Sequence, residues 1–182
     1  MNLAHRPRVP AIRRSLMLAG LAAIAAPSLP AFAQTAEAQE ASAQTLAELD
    51  AFWTESARTA REGDYEAAAA LYHPEAVLVS VRRGRTLAIA GVLPEWKIEY
   101  DNTKAGVTSS TVDFRFSQRL HDEATAHETG IFNYRFVSET GEVNDQYIHF
   151  DALLVKRDGR WLMLMEYQRG PATLEEWEAL GR

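Results

Sequence analysis

The 182-residue chain is 47% hydrophobic and 24% charged, a balance that suits one compact core and excludes a disordered polar segment. With no cysteine it has no disulfide, no thiolate nucleophile, no thiolate metal site and no acceptor for a lipoprotein anchor. The formal net charge of −6 argues against nucleic acid as a partner, because the one compact basic group, Arg82, Arg83 and Arg85, flanks Gly84 at what reads as a hairpin tip.

The N-terminus carries Arg13 and Arg14, an apolar run from Leu16 to Ala26, Pro27 and Pro30, and then Ala31-Phe32-Ala33 before Gln34. This order of charged, apolar and small-x-small segments predicts a signal peptide over residues 1–33, cleaved to leave a periplasmic or secreted domain with no membrane contact. The apolar run is shorter than the roughly 20 residues a membrane span needs. Arg13-Arg14 resembles a twin-arginine export signal, although Leu16 stands where that signal usually has Phe, and general secretion fits equally. Because this segment holds four arginines, the mature domain is more acidic than the whole chain.

Residues 34–44 are small and polar without apolar periodicity, and read as a disordered lead-in to a domain over 45–182. Thr45 and Glu48 make a capping-box pattern before Leu46, Leu49, Phe52, Trp53, Ala57 and Ala60, which predicts a first helix to about Glu62. Gly63 suits its C-terminal cap, and Asp64 caps a short second helix ending before Pro74. Residues 76–82 and 86–90 read as two short strands around Gly84, and Leu93, Trp96 and Tyr100 as a third helix with Pro94 in its first turn. Four β-rich segments follow, near 107–119, 124–137, 143–156 and 160–169, separated by turn signals at His121-Asp122, Thr140-Gly141 and Asp158-Gly159. Thr173 and Glu176 form a second capping box before a last short helix. Helices first and an antiparallel meander after make the fold α+β.

The stretch Gly63-Asp64-Tyr65-Glu66-Ala67 through Leu71-Tyr72-His73-Pro74-Glu75-Ala76-Val77-Leu78-Val79 is similar to the start of SnoaL-like domains of the NTF2-like superfamily. The run Leu153-Leu154-Val155-Lys156-Arg157-Asp158-Gly159-Arg160-Trp161 is similar to their close. The resemblance implies helices packed on a strongly curved, mostly antiparallel sheet that forms an open cone, commonly in a homodimer. It implies no single activity, since isomerases, dehydratases, cyclases, hydrolases and noncatalytic members share the fold.

A cone of this kind binds through a few polar groups on an apolar wall. If Asp158-Gly159 is a two-residue turn, Asp151 faces Glu166, Phe150 faces Tyr167 and His149 faces Gln168. Two carboxylates about 5 Å apart would raise one pKa, so Asp151 or Glu166 is the candidate base, with His149 or Tyr167 as hydrogen-bonding partner. A three-residue loop with a bulge would scatter the cluster, and alternating polar residues equally mark a solvated face. Glu128 shares a strand face with Ala126, Gly130, Phe132, Tyr134 and Phe136, either as a pocket residue or as the buried partner of an arginine such as Arg115. Trp53, Tyr72, Trp96 and Tyr100 are candidates for a pocket wall or for plain core. His73 reads as structural, no histidine spacing calls for a metal, and nothing in the sequence calls for a cofactor.

Overall fold

The computed structural model describes residues 31–181, so the expected signal segment lies outside the described residues except at 31–33. Helix α1 spans Ala31–Glu62, α2 Tyr65–Ala70 and α3 Ile89–Lys104. Strands β1 (Tyr72–Ser80) and β2 (Arg85–Ala88) precede α3, and β3 (Ser109–His121), β4 (Thr125–Val137), β5 (Val143–Arg157) and β6 (Arg160–Pro171) follow it. Helix α4, Leu174–Ala179, closes the order. The six strands form one sheet in the order β2-β1-β6-β5-β4-β3, antiparallel throughout except for the parallel pair β1 and β6.

Helices α1 and α3 lie on one face of this sheet. Leu49, Phe52 and Trp53 of α1 pack on Ala126, Phe132, Phe150, Leu154, Trp161 and Met163. Ile89 and Val92 of α3 pack on Ala76 and Leu78 of β1. The opposite face carries α4, whose Trp177 ring stands 5.7 Å from Tyr147 and 4.1 Å from the Arg115 guanidinium. Gly63 ends α1 with φ +65°, and a Cβ there would stand 2.4 Å from backbone atoms of both Tyr100 and Lys104, so α1 can close on α3 only at a glycine.

The structure departs from the sequence reading in three places around the helices, the first being Tyr72, expected at the end of the second helix, which instead opens β1 after α2 stops at Ala70. Segment 34–44 is helical, not a disordered lead-in, because its Ala, Gln and Glu residues are strong helix formers uninterrupted by Gly or Pro. Packing begins at Thr45, so the capping-box pattern marks the first buried turn rather than the helix start. Helix α3 begins at Ile89, which puts Pro94 in its second turn rather than its first. The capping box at Thr173 and Glu176 forms as expected.

Candidate functional site

Cross-strand pairing places Glu166 of β6 between Ala152 of β5 and Leu78 of β1, both fully buried, so its side chain enters the helix-covered side of the sheet. The Tyr72 hydroxyl donates to Glu166 Oε2 at 2.7 Å, and Gln168 Nε2 donates to Glu166 Oε1 at 2.7 Å. On α3, the Trp96 ring lies 6.0 Å from Tyr72. Burial pushes the Glu166 carboxyl above its ordinary value, and the hydrogen bonds from Gln168 and Tyr72 hold back part of that rise. The Tyr72 hydroxyl is pushed well above its usual range by burial first and by the neighbouring carboxylate second. Burial also raises Tyr100, with Glu166 and Glu99 adding to the effect, and raises Glu99 itself.

Beside this group, where the ends of β1 and β6 meet the start of β5, is a cavity of about 510 Å³. Val81, Ile148, Pro171 and Ala172 supply apolar wall, and Gln146, Gln168, Tyr147, Arg82 and Asp145 contribute polar groups. That volume falls within the usual span of small-molecule sites. Gln168 belongs to both, lining the cavity with the same side chain whose amide holds Glu166.

The expected cluster of His149, Asp151, Glu166 and Gln168 is divided between the two faces of the sheet. Asp158 and Gly159 make the two-residue turn, with φ +51° and +75°, and pairing from Arg157–Arg160 to Leu154–Met163 follows the expected register. A bulge then leaves Leu164 unpaired, so that Leu153 meets Met165 and Ala152 meets Glu166. One extra residue sends Glu166 and Gln168 inward and leaves Asp151 outward.

On the outer face Asp151 is held by Arg169 Nε at 3.0 Å, with His127 Nε2 at 3.8 Å. His149 Nε2 lies 3.4 Å from Glu176 of α4, and Tyr167 pairs with Asp151 on the same outer face. The expected coupling of the Asp151 and Glu166 carboxyls is therefore overturned.

Glu128 and Trp53 are inward but belong to the core under α1. Trp53 Nε1 donates to Glu128 Oε2 at 2.5 Å, and its ring packs 4.5 Å from Phe114 and 5.5 Å from Phe150. The arginine paired with Glu128 is Arg119, not Arg115, whose Nη1 instead donates to the Trp177 carbonyl at 2.7 Å. Gln146 and Ile148 were missed as cavity residues, although they alternate with inward Phe150 and the same period would have found them. Arg82, read only as part of a hairpin tip, also lines the cavity. Among the described residues, no group of three or more His, Asp or Glu is placed to hold a metal ion.

The raised Glu166 carboxyl has a consequence for stability. Its ordinary value is 4.5, and the native state holds the proton to a higher pH than the unfolded chain does. Stability from this group is therefore full below that value and is lost as pH rises through the folded one. Glu166→Gln should remove the loss, leaving the variant more stable than the parent at neutral pH, with the gap closing in acid. Urea midpoints at about pH 4 and about pH 8 measure it, and an equal difference at both would mean that Glu166 titrates as in water.

No family profile and no curated relative matches the sequence. Solved structures do. A conserved protein from Planctomyces limnophilus superposes with a TM-score of 0.58 at 12% identity, covering 69% of this chain and 94% of that one. An NTF2-like superfamily protein from Salmonella enterica gives 0.55 at 13%, covering 73% and 95%. A cystatin-like protein from Caulobacter vibrioides gives 0.53 at 12%, covering 74% and 94%. The chain has the NTF2-like, cystatin-like α+β fold, as the resemblance in sequence implied. Identities this low establish the fold alone, and activity has to be argued from the site.

Proposed function

We propose that the protein binds a small, largely apolar molecule in the cone, oriented by Glu166, Tyr72 and Gln168. The observation that carries this reading is an inward carboxylate with neutral hydrogen-bonding partners and, among the described residues, no paired cation, beside a cavity with apolar walls. A carboxylate so placed costs stability, which favours a role in recognition over one in the core. Thermal-shift screening with small apolar alcohols and ketones tests it, since a ligand selective for the native state raises the melting temperature. Glu166→Gln and Gln168→Ala should each weaken binding of a hit by about tenfold. Hits whose affinity ignores both substitutions would place the ligand elsewhere.

A second reading, a cofactor-independent isomerase, dehydratase or hydrolase, is favoured by the upward shift of the Glu166 carboxyl, which moves it towards the range where a base works at neutral pH. Glu166 is then the base, and outward Asp151 and His149 have no part. Turnover of any substrate found should vanish in Glu166→Gln and survive in Asp151→Asn. A third reading, a noncatalytic dimeric module, draws on the outer sheet face, where Leu153, Met165 and Tyr167 stand together.

Export to the periplasm or medium and a homodimer complete the proposal. Mass spectrometry of the exported protein should find a chain beginning at Gln34, and light scattering should give twice its mass. An intact residue 1–33 segment, or a single subunit mass, overturns the corresponding half.

A further inference from the structure

The mouth of the cavity carries an uncompensated positive charge. Arg82 lines it and is exposed, and among the described residues its guanidinium has neither an ion pair nor a hydrogen bond. The charges around it are neutralised: Arg83 Nη1 pairs with Glu95 at 2.8 Å, and Asp145, also at the mouth, with Arg135 at 2.7 Å. Arg85, the first residue of β2, exposed and likewise without an ion pair among the described residues, adds a second cation just beyond the turn.

The turn that bears Arg82 is fixed relative to the interior group. Val81 N donates to the Gln168 carbonyl at 3.1 Å, Gly84 N to the Val81 carbonyl at 3.0 Å, and Arg83 N to Ser80 Oγ at 3.4 Å. One residue, Gln168, thus ties the Arg82 turn by its backbone and Glu166 by its side chain. On a chain of net charge −6, a bare guanidinium at a cavity rim runs against the overall field and matches a ligand's charge instead. Its planar fork suits an oxyanion with two oxygens.

We infer that the ligand is an amphipathic anion, with its oxyanion head on Arg82, its apolar body against Ile148, Pro171 and Ala172, and its far end at Gln168 and Glu166. The inference rests on the reading of the cone as an apolar-ligand site, and it adds the ligand's charge and direction of entry.

Calorimetric titration of the purified protein with octanoate, octyl phosphate and 1-octanol tests it, because the three share one apolar chain. At least one anion should bind about tenfold more tightly than 1-octanol, the scale of one charge-assisted contact. Arg82→Gln should erase that advantage while leaving 1-octanol unchanged, and added salt should shrink it. The tighter of the two anions identifies the head group. Equal binding of all three, or an advantage that survives Arg82→Gln, overturns the inference and leaves the apolar site standing. Failure of all three to bind removes both.

Discussion

Glu128→Leu should lower the stability of the fold by about 3–5 kcal/mol, the scale for stranding one half of a buried ion pair. Glu128 is fully buried on β4 and accepts from Trp53 Nε1 on α1 and from Arg119 Nε on β3. Arg119 Nη1 continues the chain to Asp50 at 2.5 Å, and its guanidinium lies 4.4 Å over the Phe116 ring. Without the carboxylate, the guanidinium keeps only the Phe116 ring and an ion pair with the exposed Asp50, and a buried indole N–H loses its acceptor. The pair adds little against well-packed apolar residues, so Glu128→Leu with Arg119→Met should recover most of the loss. Urea denaturation of the two single variants and the double measures the coupling. A neutral single variant would mean that Arg119 finds water, and that the network does not bind α1 to the sheet.

The strands and the hairpin turn were legible because their signals are local. Asp158-Gly159 supplies two residues that tolerate positive φ, and the segments on either side pair as the apolar alternation predicts, as far as Met163. The candidate site was only half legible, because two bulges carry no residue mark. Leu164 is an apolar residue in an apolar run, yet it adds one position and turns Glu166 from the neighbour of Asp151 into an interior carboxylate. The break in pairing between Phe116 and Gln118 has the same effect on β3: Arg115 and Arg119 share a parity in sequence, and the bulge sends Arg119 inward to Glu128 while Arg115 stays out with Trp177.

The contact that completes the site was beyond local reading altogether. Tyr72 reaches Glu166 because β1 joins the sheet parallel to β6, a pairing across some ninety residues that no turn announces. The aromatic candidates divide by the same logic. Trp53 is core because α1 packs under the β3 side of the sheet, while Tyr72 reaches Glu166 from β1 and Trp96 of α3 packs beside Tyr72 in the smaller cluster at the β1 side.

Trp161→Ala is expected to cost about 3–5 kcal/mol. The side chain is 7% exposed and packs in the main core with Leu49, Leu154 and Met163. Its indole Nε1 donates to Glu48 Oε2 at 3.0 Å, and the same oxygen accepts from Lys156 Nζ at 2.5 Å. Lys156 lies opposite Trp161 in the hairpin, with its ammonium 5.8 Å from the ring. Glu48 is held below its ordinary value by Lys156 first and by the indole second, so this end of α1 is tied to the β5–β6 hairpin through one carboxylate. Trp161→Ala opens a cavity and removes one of the two donors, whereas Trp161→Phe keeps most of the packing and should lose only about 1 kcal/mol with the hydrogen bond. Both losses are read from urea midpoints at neutral pH, where Glu48 is ionised. Equal losses in the two variants would mean that the hydrogen bond to Glu48 outweighs the packing of the ring. No loss in either would mean that α1 does not pack on this hairpin.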